Sequence, residues 1–541
     1  MKITKSERIA IYFYYDEYGI VDEYALYFIK GLREIAGYVL VVVNGFITDE
    51  SKEKLLKISD DLLIRPNEGY DAWAYKDAFN HIGWEQLEKY EEVVYCNSTV
   101  FGPIYPFEEM FGKMSENDDL DFWGISFHPD MESSSTCNPY GYIPEHVQHY
   151  FVVWRKRFTK APELKKYWEE LPPIHNYAET VGLHETVFTK YFQDLGFRWT
   201  TYVRYVLEEE SSNYLLLYEP LKALEKYRCP VIKRKLFFLE DKYVTSNSIG
   251  ERVRDTLDYL ETYKLYDVDL IYRNIIRTTD QACFINAFGL WKVLPEKDET
   301  YGQKKDSELF SRAAVIYFCV DQEDQAFVRR LEKVLQDQVR IFRIVLEDYT
   351  EEGLKEVLFS IASQYDYVCT CNNKRFPEKQ FHTSRRSAEE IEFRSVLASL
   401  TYVRNVLNAF QENQRVGLFM PMKPLIAEIA KGQDETEWTE IYKTAKRFKE
   451  KLDLRVILTR DAFPISGHGY FWFRGSVLRK FLERNLPSFV LTKEESLALT
   501  GLVPYAVQAE GLMPAYVTTD QVVSYQLSSM NYYVKRGRDE K

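Results

Sequence analysis

Two kinds of hydrophobic pattern alternate along this chain. Residues 8–15, 38–43, 62–64 and 92–96 are apolar at nearly every position and predict strands buried on both faces. Residues 23–36, 51–59 and 72–81 space their apolar side chains at helical intervals and predict the intervening helices. The same order returns later, with strands over 313–320, 340–346 and 365–370 and helices over 325–336 and 350–363. Such alternation predicts mostly parallel sheets covered by helices, an α/β layer fold. Ligands of these sheets bind outside the carboxyl ends of the strands. Three polar clusters fall at those ends: Asn44-Gly45, Asn67-Glu-Gly-Tyr-Asp71 and Asn97-Ser98-Thr99.

A repeat sharpens the picture. Gln148-His-Tyr-Phe-Val-Val-Trp-Arg155 is echoed by His468-Gly-Tyr-Phe-Trp-Phe-Arg474, and Asp121-Phe-Trp-Gly-Ile-Ser-Phe-His-Pro129 by Arg415-Val-Gly-Leu-Phe-Met-Pro421. Two elements recurring in one order predict two copies of one domain type; chance likeness of aromatic-rich strands is the competing explanation. The expected division is a first domain over 1–210, a helix-rich connecting segment over 211–306 that ends in a polar linker at 295–306, and a second domain over 307–541.

Composition narrows the classes. The 541 residues suffice for two or three full cores, and 45% hydrophobic with 28% charged is ordinary for a soluble protein. A net charge of −13 argues against a general nucleic-acid binder. Two local basic runs, Arg155-Lys-Arg157 and 222–235, suit either anionic headgroups, a diphosphate or a solvated surface. Aromatic content is high at 16%, as expected for sugar-stacking sites and for aromatic cores alike. The 7 cysteines are irregularly spaced, without metal-ligand pattern, and read as reduced thiols. Residues 1–8 lead into a strand with no signal-peptide core, and no apolar run is long enough to span a bilayer, so a cytoplasmic protein is expected.

On several motifs in order, the chain resembles the rhamnan synthesis protein F family. They are Asn67-Glu-Gly-Tyr-Asp71, Val94-Tyr-Cys-Asn-Ser-Thr-Val-Phe-Gly-Pro103, Asp121-Phe-Trp-Gly-Ile125, Val147-Gln-His-Tyr-Phe151, Phe463-Pro464 with Gly469-Tyr-Phe-Trp-Phe-Arg474, and Pro504-Tyr505 to Gly511. The resemblance implies two tandem GT-A-like glycosyltransferase domains. It implies a dTDP-β-L-rhamnose donor, a lipid-linked glycan acceptor, inversion to an α-L-rhamnoside, and work at the inner face of the cell membrane. A non-catalytic glycan-binding or assembly subunit, or a transferase of another sugar nucleotide, is compatible with the same residues. Oligomeric state is not readable.

The resemblance also places a site. Inverting transfer needs one base opposite the leaving group and cations or donors for the departing diphosphate. Glu185 matches the family's acid at the start of a helix before Gly196, with His184 as second candidate for the base. Asn67, Gly69, Asp71 and Asn97 to Thr99 are donor-binding candidates, with Asp16 and Lys76 beside them; helix capping or an exposed turn would explain the same acids. Ser98 stands where the family commonly has Asp, which makes a poor Mg²⁺ or Mn²⁺ site and leaves no cofactor assigned. In the second half, Asn372, Asn373, Lys374, Arg385, Arg386 and Arg474 are candidates for phosphate or glycan contacts. The acid expected about ten residues before Gly511 is missing there, with Glu494 and Glu495 further upstream. The second domain is thus a transferase with a displaced base or an acceptor-binding copy.

Overall fold

A computed structural model describes residues 3–132, 137–205, 214–238, 251–297, 305–319, 325–373, 382–422, 433–459, 469–487 and 491–539. The chain divides into two compact units, Met1–Asn274 and Ile275–Lys541. That boundary lies in the helix Val268–Thr278, within the segment read as a connector. Of the linker at 295–306, residues 298–304 lie outside the described residues.

The strands of the first unit are β1 (Arg8–Tyr15), β2 (Tyr38–Asn44), β3 (Asp61–Arg65), β4 (Glu92–Asn97), β5 (Val100–Phe101), β6 (Phe122–His128), β7 (His146–Val147), β8 (Phe151–Arg155), β9 (Trp199–Val203) and β10 (Ile232–Lys233). Eight of them form one sheet in the order β3-β2-β1-β4-β8-β6-β7, with β9 beside β6. Strands β3, β2, β1 and β4 are mutually parallel; β8 runs against β4 and β6, and β9 runs with β6. The near-continuous apolar runs are explained by helices on both faces: β1 and β2 are buried along almost their whole length. Separately, β5 pairs antiparallel with β10, setting Lys233 opposite Val100.

The core beneath the carboxyl ends is aromatic. Phe79 packs on Trp154 at 4.6 Å and on Trp168 at 4.9 Å between ring centroids, and Tyr95 meets Trp154 at 5.1 Å. Most of the aromatic excess in the first unit goes here. At the opposite end of the sheet, Glu92 is buried between Arg8 (2.5 Å) and Arg155 (3.0 Å). Lys156 pairs with Glu91, and Arg157 makes two 2.6 Å bonds to the buried Asp121. The basic run 155–157 is therefore committed to carboxylates at the amino end, and is not a free anion surface.

The second unit contains β11 (Trp291–Leu294), β12 (Ala313–Cys319), β13 (Arg340–Val345), β14 (Tyr367–Asn372), β15 (Val416–Pro421), β16 (Phe471–Arg474) and β17 (Met513–Thr519), in the order β11-β17-β15-β16-β14-β12-β13. The run β13-β12-β14-β16-β15-β17 repeats β2-β1-β4-β8-β6-β9, including the reversed fourth strand. Registers agree residue by residue: Phe13 faces Asn97 as Phe318 faces Asn372. The Cys96 thiol reaches the Ile11 carbonyl at 3.7 Å, and Cys371 reaches that of Ile316 at 3.8 Å. Two sheets with one wiring pattern make the internal repeat a structural fact. No described helix is long and apolar enough to cross a membrane.

Candidate functional site

A cavity of about 1190 Å³ opens at the carboxyl ends of β1, β2, β4 and β6. The β2 end supplies Asn44, whose amide oxygen accepts from Arg65 at 2.7 Å while its nitrogen donates to the Tyr70 carbonyl. Arg65 also holds the Glu68 carbonyl and Asp77, so the loop 66–69 is pinned at both ends. Gly69 has φ +68°, and a Cβ there would lie 2.3 Å from the Trp73 side chain. The left-handed turn and the room for Trp73 both call for glycine at this point of the cavity wall. Gly69→Ala is expected to cost about 1–3 kcal/mol, measured by chemical denaturation.

Asp71 opens the helix Tyr70–Ile82 beside the β4 end. Its Oδ2 accepts from Asn97 Nδ2 at 2.9 Å, and the Asn97 Oδ1 accepts from Thr99 N at 3.1 Å and Thr99 Oγ1 at 2.6 Å. All three line the cavity. Enclosure by protein, and next the charge of Glu185, push the Asp71 carboxyl from its ordinary 3.8 to about 6, against the pull of the Asn97 amide. The folded value lies above the unfolded one, so stability falls as pH rises from about 4 through about 6, and the ionised form carries that cost at neutral pH. Asp71→Asn is therefore expected to stabilise the protein at neutral pH by about 1–2 kcal/mol, with the gain gone below about pH 4. Thermal unfolding at the two pH values checks this.

Glu185 enters from the far wall. The helices Tyr177–Thr180 and Thr186–Asp194 are continuous through a π-helical turn, Val181–Glu185. Glu185 is thus mid-helix at a bulge, not at the helix start expected from sequence. Such bulges recur at functional sites, because the extra residue re-aims a side chain. Its Oε1 accepts from His149 N at 3.3 Å. Behind it, His149 Nδ1 and His184 Nε2 lie 3.0 Å apart, and Tyr167 Oη lies 3.0 Å from His184 Nδ1. Burial holds both imidazoles neutral, His184 at about 3 and His149 well below its usual range.

The structure gathers Asn67, Gly69, Asp71, Asn97, Thr99 and Glu185 around one cavity. Four other candidates stand elsewhere. His184 has both ring nitrogens engaged in the core and does not line the cavity. Ser98 is buried, with its carbonyl accepting from Tyr24 and Arg234. Asp16 accepts the amides of Tyr18 and Ile20, both at 3.0 Å, in the turn after β1. Lys76 donates to the carbonyls of Glu169 and Leu171, at the end of the helix Pro162–Glu169, a favourable place for a cation. Further members of the wall are Gln148, His128, His146, Tyr214 and, from the basic run 222–235, the trio Lys233, Arg234 and Lys235. Tyr15, Tyr70 and Tyr177 stay 45, 42 and 64% exposed while lining it, which leaves ring faces open for stacking.

In the second unit, Asn372 and Asn373 sit at the carboxyl end of β14, Lys374 lies outside the described residues, and Arg385 and Arg386 are placed only by their helix, His382–Leu397. Arg474 lies at the amino end of the sheet, where it donates to the carbonyls of Phe410, Asn413 and Val416. Gly196 and Gly511 both take positive φ just before the last strands of their repeats. Counting back equally from each, Glu185 is answered by Thr500, whose hydroxyl donates to the Ser496 carbonyl. Of the acids upstream, Glu495 closes a capping box with Thr492 and Glu494 accepts from Thr444.

A family model described as rhamnan synthesis protein F matches residues 39–500. No curated protein matches the sequence. Among solved structures, a nucleotide-diphospho-sugar transferase described as putative, from Desulfovibrio desulfuricans, aligns at 14% identity over 41% of this chain and 98% of its own, with a TM-score of 0.24. A cytidylyltransferase from Leptospira borgpetersenii aligns at 12% identity over 48% and 95%, with a TM-score of 0.23. Glucosyl-3-phosphoglycerate synthase from Mycobacterium tuberculosis, solved with Mn²⁺, UDP and phosphoglyceric acid, aligns at 12% identity over 29% and 56%, with a TM-score of 0.20.

Proposed function

Since the chain belongs to the rhamnan synthesis protein F family and is a glycosyltransferase, we propose that its first unit transfers L-rhamnose from dTDP-β-L-rhamnose to a lipid-linked rhamnose glycan, with inversion. The observation that carries this is the pairing of Glu185 with Asp71 across one cavity at the carboxyl ends of the sheet. Asn67, Asp71, Asn97 and Thr99 bind the donor. Glu185 takes the proton of the acceptor hydroxyl as that oxygen attacks the anomeric carbon. The exposed tyrosines stack on sugar or base.

The second unit is an acceptor-binding copy. Thr500 in the place of Glu185 supports this, and the two upstream acids are committed to their own helix end and to Thr444. The lipid-linked acceptor puts the protein at the cytoplasmic face of the membrane as a peripheral protein.

The test is incubation of the purified chain with dTDP-β-L-rhamnose and a synthetic lipid-linked rhamnose acceptor, followed by mass spectrometry and NMR of the product. An acceptor extended by one deoxyhexose in α linkage is expected. Extension only from another sugar nucleotide would overturn the donor assignment. Binding of acceptor with no extension from any donor would favour an assembly subunit.

A further inference from the structure

The carboxyl end of β4, where the family resemblance expects an acid that holds a divalent ion, does not fit one. The Asn97 carboxamide is used at both ends, by Thr99 and Asp71, and Ser98 is buried off the cavity. Among the described residues no group of three or more His, Cys, Asp or Glu side chains could hold a metal. Divalent ions of this class favour carboxylate-rich oxygen sets, and a single, already bonded carboxylate is a poor substitute.

Positive charge is nevertheless brought to this spot by a different element. The pairing of β10 with β5 lays Lys233-Arg234-Lys235 against the turn that follows β4. Arg234 N donates to the Thr99 carbonyl at 3.0 Å, and Arg234 Nη1 donates to the Ser98 carbonyl at 3.2 Å. Lys233 is buried, with Nζ 3.6 Å from the centre of the Tyr150 ring. All three side chains line the cavity. Elsewhere in the first unit the cations around the sheet are committed: Arg8 and Arg155 to Glu92, Arg157 to Asp121, Lys76 to carbonyls. Lys233 forms no ion pair among the described residues, although a buried lysine is ordinarily paired, and Lys235 is an exposed lysine on the cavity wall. Burial lowers Lys233 to about 8, and the charges of Glu185 and Asp71 act on it from across the cavity.

We propose that Lys233, Arg234 and Lys235 cradle the diphosphate of the sugar nucleotide and stabilise it as it leaves, standing where a divalent ion would otherwise act; this rests on the reading that the cavity takes a sugar nucleotide. As the bond from the anomeric carbon to the diphosphate oxygen breaks, the electron pair stays on that oxygen and its charge grows against the trio. The acceptor oxygen bonds to the anomeric carbon and its proton passes to Glu185. Fixed donors aimed at developing charge in a part-desolvated cavity are an effective form of transition-state stabilisation.

The experiment is calorimetric titration of the full chain with dTDP, UDP, GDP and thymidine, in EDTA and in Mg²⁺, for the wild type, Lys233→Ala, Lys235→Ala and Lys235→Arg. Equal dTDP affinity in EDTA and Mg²⁺ is expected. Each alanine variant should weaken dTDP about tenfold or more while leaving thymidine unchanged, and Lys235→Arg should restore most of the loss. Unchanged thymidine binding separates a lost phosphate contact from a misfolded chain, and if Lys233→Ala does not fold, the Lys235 pair carries the test. Binding that requires the metal, or alanine variants that bind dTDP like the wild type, would overturn the cradle alone. Failure of dTDP, UDP and GDP all to bind would overturn the cradle together with the sugar-nucleotide reading.

Discussion

Glu185→Gln is expected to lower the proposed rhamnosyl turnover by about 10²–10⁴-fold, the usual contribution of a positioned general base, with dTDP affinity and the melting temperature staying near those of the wild type. The amide keeps the size of the carboxyl and can still accept from His149 N, so the π-helical turn keeps its contact. What is lost is an oxygen able to take a proton. Removing the Glu185 charge also removes one of the two causes that push Asp71 up, so the Asp71 carboxyl should titrate lower in the variant. That second effect, read by NMR titration, appears only if the two groups share the cavity as described. Turnover within about tenfold of the wild type would take Glu185 out of the proton transfer. His184 does not inherit the role, because both its nitrogens are engaged in the core.

Much of this site was legible because it follows from strand order. Once 8–15, 38–43 and 92–96 are strands buried on both faces, the polar residues after them must meet at one edge of the sheet. Asn67, Asp71, Asn97 and Thr99 do so. The repeat was legible for the same reason, since β8 and β16 carry similar aromatic runs at the same place in the wiring. Neighbours along the chain were harder to separate. Ser98 and His184 each adjoin a cavity residue, yet their side chains turn into the protein. Periodicity does not reveal that turn, because the strand ends at Asn97 and the helix inserts a residue at Glu185. Lys76 was a donor-site candidate because it lies one turn past Asp71, where phosphate and water would suit it equally; a helix end from much later in the chain engages it.

The trio at 233–235 shows the other limit. Its run was visible as charge, and a diphosphate was among its readings, but β10 is only two residues long and pairs with a two-residue β5. No local pattern announces so short a strand, and only tertiary pairing brings it to the β4 end. Arg474 illustrates the converse. It closes the second aromatic motif and looks poised for an anion, but antiparallel pairing carries it to the amino end of the sheet.

At that amino end three strands depend on a single buried charge. Glu92→Gln is expected to destabilise the first unit by about 3–5 kcal/mol, the cost of breaking a buried ion pair from one side. Glu92 opens β4 and is 1% exposed; Arg8 from β1 and Arg155 from β8 both bond it, so three adjacent strands meet on one carboxylate. Glutamine keeps the volume and leaves two buried guanidinium groups facing a neutral amide. The second unit bears on the argument, since Tyr367 stands at the position of Glu92 and Arg474 at that of Arg155. There the arginine is satisfied by three carbonyls, and no buried acid is needed. In the first unit Arg155 has one carbonyl, that of Met114, so the acid has to carry the rest. For a unit of this size the loss corresponds to a fall of roughly 10 °C in its thermal transition, followed by calorimetry. A fall of only a degree or two would mean that water or a shifted side chain replaces the carboxylate. Since Glu92 is at the far end of the sheet from the cavity, dTDP affinity below the transition should not change.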